Sequence, residues 1–333
     1  MNISLLKKLS ESCGVSGFEN EVRELIKSEI KSNVDKIEID NLGNLIAFKK
    51  GIKNKKTALI AHMDEIGFVV KRVEKGFINF TKIGGIDDRI LLSQRVIIKG
   101  NKDIEGVIGC KPVHLQKDEE KKQVVKSDQL YIDVADEKTN IEKGMPVCFA
   151  SEFKKIGKTT YTGKAMDNRL GVFCLIELIK KIKKPKNDLY FIFSTQEEVG
   201  LKGARTAVFS IEPDLAIIID TTYAGDVPVV SEKECDTKLG KGVVINLIES
   251  CGAGAIIPEK IKELVINTAK KKKIKYQIEI GEGGMTDAAI VQITKKGILS
   301  CSLSIPVRNL HTPCEIFDIR DVKETVKLVE NLI

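Results

Sequence analysis

The stretch DLYFIFST, Asp188 to Thr195, is apolar at nearly every position rather than at every second one. Successive side chains on a strand point to opposite faces, so a strand of this kind needs cover on both. A parallel sheet flanked by helices provides that cover. DLAIIID (Asp214 to Asp220) and ILSCSLSI (Ile298 to Ile305) have the same texture, and TALIA (Thr57 to Ala61) is a further buried strand. Between and after these runs lie NRLGVFCLIELIKKI, EKIKELVINTAKKKK and IRDVKETVKLVENLI, with apolar residues at helical spacing. Alternating strands and helices predict an α/β chain, an αβα-sandwich with a mostly parallel sheet and helices on both faces.

Two regions depart from that alternation. Near the N-terminus, Ser16 and Glu19 carry the spacing of a capping box and open a helix predicted over 18–32. KIEID and NLIAFKK then flank a turn and read as a hairpin. From about 70 to 157, short β-rich pieces (GFINFTKI, RVIIKG, GVIGCKP, QLYIDV, MPVCFA) alternate with Gly, Asp and Lys turns, with no long amphipathic helix. We read 69–157 as a small inserted β-domain and 1–68 with 158–333 as the main domain.

Composition narrows the function classes. A chain of 333 residues with 42% hydrophobic content can bury a sizeable core. No apolar run approaches the ~20 residues that span a bilayer. MNISLLKKLSESCG lacks a signal peptide's apolar stretch, so a cytoplasmic protein without a membrane partner is expected. Eight cysteines without a CxxC pair argue against a disulfide framework and against a thiolate zinc site. The net charge of +7 is thinly spread. Its densest runs, KKIKKPK and AKKKKIK, follow helical segments, where cations suit the helix dipole. Neither has interleaved aromatics, so nucleic-acid binding is not expected.

Sites in open α/β sheets lie beyond the carboxyl ends of the strands. His62, Asp64 and Glu65 follow TALIA, and Asp167, Asn168 and Arg169 follow YTGKAM. Glu197 and Glu198 follow LYFIFSTQ, Asp220 ends LAIII, and His311 follows CSLSIPVRNL. Taken singly, an Asp before a helix is an N-cap, and an adjacent Glu pair is surface. Together, imidazoles and carboxylates without thiolates suit Zn, Co or Mn held for hydrolysis.

The motifs AHMDEIGF, GKAMDNRLG, STQEEVGLKGA, IDTTYAGDVP and RNLHTPCEIFDIRD appear in that order. They resemble the tetrahedral (TET) or glutamyl/deblocking aminopeptidases, a family of dinuclear metallo-exopeptidases also described as cellulases or endoglucanases. GGIDDRILLSQRV, GVIGCKPVHL and GGMTDAAI extend the resemblance over nearly the whole chain. The resemblance implies that His62 and Asp220 bind one divalent ion, Glu198 and His311 a second, and that Asp167 bridges them. Zn2+ and Co2+ fit the ligands equally, and Mn2+ also suits them. Glu197 is then the general base and acid, and Asp64 fixes the His62 tautomer.

Peptide hydrolysis explains why one glutamate stays free. Two ions ~3.5–4 Å apart share and acidify a bridging water and polarise the carbonyl. A carboxylate off the metals must take that water's proton and pass it to the leaving amine. Adjacent glutamates can divide these tasks if the backbone turns at the strand end, which Gly200 makes easy. The substrates implied are short peptides with a free N-terminus. The resemblance further implies a PDZ-like β-barrel insertion that mediates dimerisation, with dimers assembling into a tetrahedral dodecamer.

Other residues carry weaker signals. His114 lies in the insertion without a ligand role, Asp287 is a cleft residue or an N-cap, and Arg169 and Arg308 flank ligands. In ESCGAGAIIPEKIKELV no acidic or basic side chain is assigned as a selector for the substrate's first residue. A glycosidase, a non-enzymatic assembly or peptide-binding protein, and a carboxypeptidase or deacylase on the same scaffold are the competing readings. A glycosidase leaves the imidazoles unexplained, since it needs two carboxylates and no metal.

Overall fold

A computed structural model describes residues 1–137 and 140–333. In chain order the strands are β1 (Lys36–Ile39), β2 (Leu45–Lys49), β3 (Lys53–His62), β4 (Gly67–Glu74), β5 (Phe77–Ile83), β6 (Arg95–Ile98), β7 (Ile104–Gly109), β8 (Tyr131–Asp133) and β9 (Pro146–Phe149). They continue with β10 (Lys154–Lys155), β11 (Thr160–Gly163), β12 (Asn187–Ser194), β13 (Leu215–Tyr223), β14 (Val243–Ile248), β15 (Tyr276–Ile280), β16 (Ser300–Arg308) and β17 (Glu315–Asp318). The α-helices are α1 (Ile3–Glu11), α2 (Asn20–Ile30), α3 (Met166–Lys181), α4 (Lys202–Ile211), α5 (Glu259–Lys271), α6 (Ala288–Gln292) and α7 (Ile319–Leu332).

Eleven strands form one sheet around a parallel core, β12-β3-β13-β16. Its outer strands are mostly antiparallel, including the β1–β2 hairpin that pairs with β12. On one face Leu189, Phe191 and Phe193 of β12 pack with residues of α1, α2, α3, α5 and α7. On the other, Ile192 packs with α4 and α6. The continuous apolar run of β12 is thus buried on both sides, each large side chain contributing about 1.5–3 kcal/mol on transfer from water. The α/β sandwich expected from the sequence is the observed fold.

Strands β4 to β9 close into a separate six-stranded antiparallel barrel, in the order β4-β5-β8-β7-β6-β9. Phe68, Phe80 and Phe149 meet edge-on in its core. Lys154–Lys155, numbered within the 69–157 insertion, pairs instead with β11 at the edge of the large sheet. Among the described residues, no helix is long and apolar enough to cross a membrane.

Helix α2 starts at Asn20, and the expected capping box does not form. Ser16 Oγ donates to Asp64 Oδ2 at 2.6 Å instead. Glu19 Oε1 accepts from the backbone N–H of Gly17 (2.6 Å) and of Gln196 (3.3 Å). Ser16 is drawn away by a partner distant in sequence, and Glu19 by the neighbouring Gly17 together with the distant Gln196.

Candidate metal centre

Register sets the level of the site. His62, the last residue of β3, lies opposite Ser194, the last of β12. On the other side β3 pairs in register with β13, Ile60 opposite Ile218. Two residues further on, the same phase brings Asp220 level with His62.

Asp167 lies between the two imidazoles. Its Oδ1 is 3.1 Å from His62 Nε2, and its Oδ2 is 3.3 Å from His311 Nε2. His62 Nε2 is also 3.7 Å from Asp220 Oδ1 and 3.8 Å from Glu197 Oε2. His311 Nε2 is 3.6 Å from Glu198 Oε2. Potential donor atoms group as His62–Asp167–Asp220, as Asp167–Glu198–His311 and as His62–Glu197–Glu198, each within 4.8 Å. The first two sets share only Asp167.

Both imidazoles have their other nitrogen engaged. His62 Nδ1 donates to the Asp64 carbonyl at 3.2 Å and lies 3.5 Å from its Oδ1. His311 Nδ1 donates to the Gly85 carbonyl at 2.9 Å, so the chain just beyond β5 of the barrel helps orient a residue of the main domain. With Nδ1 donating, each Nε2 is turned toward the carboxylates, the orientation a ligand requires once its proton is lost.

The glutamate pair owes its geometry to Asp64. The chain leaves β12 through Gln196, whose φ is 54°. The backbone N–H of Glu197 then donates to Asp64 Oδ1 (3.0 Å) and that of Glu198 to Asp64 Oδ2 (3.2 Å). Gly200, at φ 116°, closes the turn with its N–H on the Glu197 carbonyl. Both carboxylates therefore project into one cavity, which also receives His62, Asp167, Asp220 and His311.

Glu315 does for the opposite side what Asp64 does here, and sequence reasoning missed it. This buried residue accepts from the backbone N–H of His311 at 2.8 Å and of Asp167 at 3.1 Å. The only sequence signal was a carboxylate at the start of the short strand EIFD, four residues after His311. Asp287 is fully buried and makes no capping bond to α6; its Oδ2 accepts from Ser194 Oγ at 2.7 Å. Arg169 faces away from the ligands, donating to the carbonyls of Met63 (3.0 Å) and Leu9 (2.5 Å). Arg308 pairs with Asp226, and His114 sits on an exposed turn outside the three donor groups.

Electrostatics identify what the centre lacks. Burial pushes the Glu197 carboxyl well above the ordinary range, against the pull of His62. Burial and the neighbouring Asp167 push Glu198 up to about 8. Burial also raises Asp220. Burial opposes ionisation of Asp167 too, but the imidazoles of His311 and His62 outweigh it and hold its carboxyl far below the usual value. No Lys or Arg lines the cavity among the described residues. Four crowded carboxylates and two imidazoles whose Nε2 atoms point among them are a donor set suited to divalent cations.

Residues 43–328 match the model of the M42 glutamyl aminopeptidases. The chain belongs to that family. Membership supports hydrolysis as an aminopeptidase, and metallopeptidase chemistry implies divalent metal. A putative aminopeptidase of Acetivibrio thermocellus is 39% identical over 99% of this chain and 97% of its own. A lysyl aminopeptidase of Pyrococcus furiosus is 33% identical over 99% of this chain and 96% of its own. The solved TET1 peptidase of Pyrococcus horikoshii, described as assembling into a tetrahedron or a large octahedral shell, superposes with a TM-score of 0.89. It is 33% identical and covered over 99% of this chain and 98% of that one.

Proposed function

We propose that this M42 family member is a dinuclear metallo-aminopeptidase that removes N-terminal residues from short peptides. The observation that carries the reading is the position of Asp167, one carboxylate oxygen toward each imidazole. One ion would be held by His62, Asp220 and Asp167, the other by Glu198, His311 and Asp167. Zinc or cobalt suits this donor set, and manganese is compatible with it. Two divalent ions supply the positive charge that polarises the scissile carbonyl and lowers the pKa of a water.

The protein's own groups do the rest. Glu197, beside both three-residue sets, accepts the proton of the attacking water at its carboxylate and returns it to the leaving amine. Its burial favours the protonated form, so it takes up the proton of the attacking water readily. Asp64 holds the His62 imidazole and the backbone of both glutamates in register. Glu315 holds Asp167 and His311 in the same way. The free α-amine of the substrate is read beside this cluster, so acylated peptides react poorly.

We further propose that residues 69–157 form a dimerisation domain and that dimers assemble into a tetrahedral dodecamer, as the relatives' shells suggest. The names of relatives carry both glutamyl and lysyl preferences, so they do not decide the residue removed. The test is hydrolysis of aminoacyl chromogenic substrates by chelated protein, then with zinc, cobalt or manganese restored, beside N-acetylated controls. Activity that returns with metal and needs the free amine supports the reading. A fully metal-loaded protein that cleaves none of these substrates refutes it.

A further inference from the structure

The cavity over the metal centre has a volume of about 380 Å³, and part of its wall takes no part in the chemistry above. That part comes from β13, β14, β15 and the turns after them, with Thr221, Thr222, Asn246, Ile248, Glu249 and Glu279 among the lining. Glu279 is 7% exposed and Glu249 4%. Glu279 accepts from Thr222 Oγ1 at 2.9 Å and from Asn246 Nδ2 at 2.7 Å. Glu249 accepts from Thr286 Oγ1 at 2.8 Å and from the backbone N–H groups of Ala255 and Thr286. Neither carboxylate has a cationic partner among the described residues.

A second observation is independent of these acids. Asn246 Oδ1 and Thr221 Oγ1 are buried and have no hydrogen-bond partner among the described residues. Their residues are only 9% and 7% exposed, and both line this cavity. The Asn246 amide is oriented by its Nδ2 bond to Glu279, which leaves its oxygen as a free acceptor. An ionised carboxylate accepts about four hydrogen bonds, so Glu279, with two, has capacity left. The wall therefore offers acceptors and negative charge to whatever occupies it.

Charge accounting points the same way. On the proposed function, two divalent ions answer the charges of Asp167, Glu197, Glu198 and Asp220, and nothing answers Glu249 and Glu279. Buried carboxylates without a counter-charge are costly, and burial pushes both of these above the ordinary carboxylate range. An ammonium or guanidinium would supply several donors and the missing charge. Ile248 offers an apolar surface for the aliphatic stem of such a side chain. A carboxylate side chain would meet the like charge of Glu249 and Glu279.

We propose that this wall selects peptides whose first residue carries a cationic side chain, lysine or arginine, with Glu279 as the residue that reads the charge. The inference rests on the aminopeptidase reading. It is tested with metal-loaded protein on lysyl, arginyl, norleucyl and glutamyl 4-nitroanilides, norleucine being an uncharged match for the lysine stem. We expect kcat/KM for lysyl to exceed that for norleucyl by ~10-fold or more, the scale of one charge-assisted hydrogen bond, with glutamyl the poorest. Glu279→Gln should cut the lysyl-to-norleucyl ratio by about the same factor. A wild-type ratio near one, or a glutamyl preference, overturns the proposal, as does a ratio unchanged in Glu279→Gln. Calorimetric binding of lysinamide and norleucinamide separates the two levels of failure. Tighter lysinamide binding without hydrolysis would sink the aminopeptidase reading and keep the cationic pocket, and equal binding would sink the pocket whatever the turnover.

Discussion

At the scale of single residues, the glutamate pair shows how neighbours in sequence come to hold different posts. Asp64 grips both backbone N–H groups, so the turn fixes the directions in which both side chains leave the chain. We expect Glu197→Gln to lower kcat at least ~100-fold, the scale of lost acid–base catalysis, while KM changes little. Glu315→Ala frees the backbone of Asp167 and His311, and should weaken metal binding ~10–100-fold in a competition titration. The metal-free protein should also take up metal with release of protons. Burial works against protonation of His311, but Asp167 and Glu198 outweigh it and push its imidazole up to about 10. Glu198 stands at about 8. Both must be deprotonated to bind an ion, so affinity should fall as pH drops from 9 toward 6. Calorimetry in buffers of different ionisation enthalpy reads the proton count directly, and a count of zero at pH 7 contradicts this account.

At the scale of elements, the strand ends were legible because imidazoles and carboxylates are conspicuous after continuous apolar runs. His62, Glu197, Glu198, Asp220 and His311 converge because β3, β12, β13 and β16 are adjacent in the sheet and parallel, and Asp167 joins them from the start of α3. What was not legible depends on tertiary partners. Ser16 and Glu19 have local capping spacing, yet Ser16 bonds Asp64 across the fold and Glu19 takes the backbone N–H groups of Gly17 and Gln196. Glu249 opens a segment that sequence reading left without an acidic selector, and only the packing of β13 to β15 brings it to the cavity beside Glu279. The β3–β4 connection is fixed by another such group. Glu65 lies 2.7 Å from Lys164 Nζ and 3.4 Å from Arg169 Nη2, all three buried. Glu65→Ala strands two buried cations and should cost about 3–5 kcal/mol of unfolding free energy. A urea midpoint equal to wild type would show that the cluster does not hold this connection.

At the scale of the whole molecule, the barrel and the sheet domain meet at the centre itself, through the Gly85 carbonyl on His311. The insertion therefore bears on His311 as well as on any partner subunit. If 69–157 mediates assembly, charged substitutions on the barrel's exposed apolar residues, such as Val107 and Phe77, should lower the mass measured by light scattering. A dodecamer that survives them would place its contacts elsewhere. The central claim is that two ions share Asp167 while Glu197 stands apart. It is tested most directly by titrating chelated protein with zinc or cobalt while following bound metal and turnover in wild type and Glu197→Gln. The account predicts two ions per chain in both proteins, activity complete only when the second is bound, and loss of turnover without loss of metal in the variant. Full activity with one ion per chain, or a variant that loses an ion along with its activity, would contradict it.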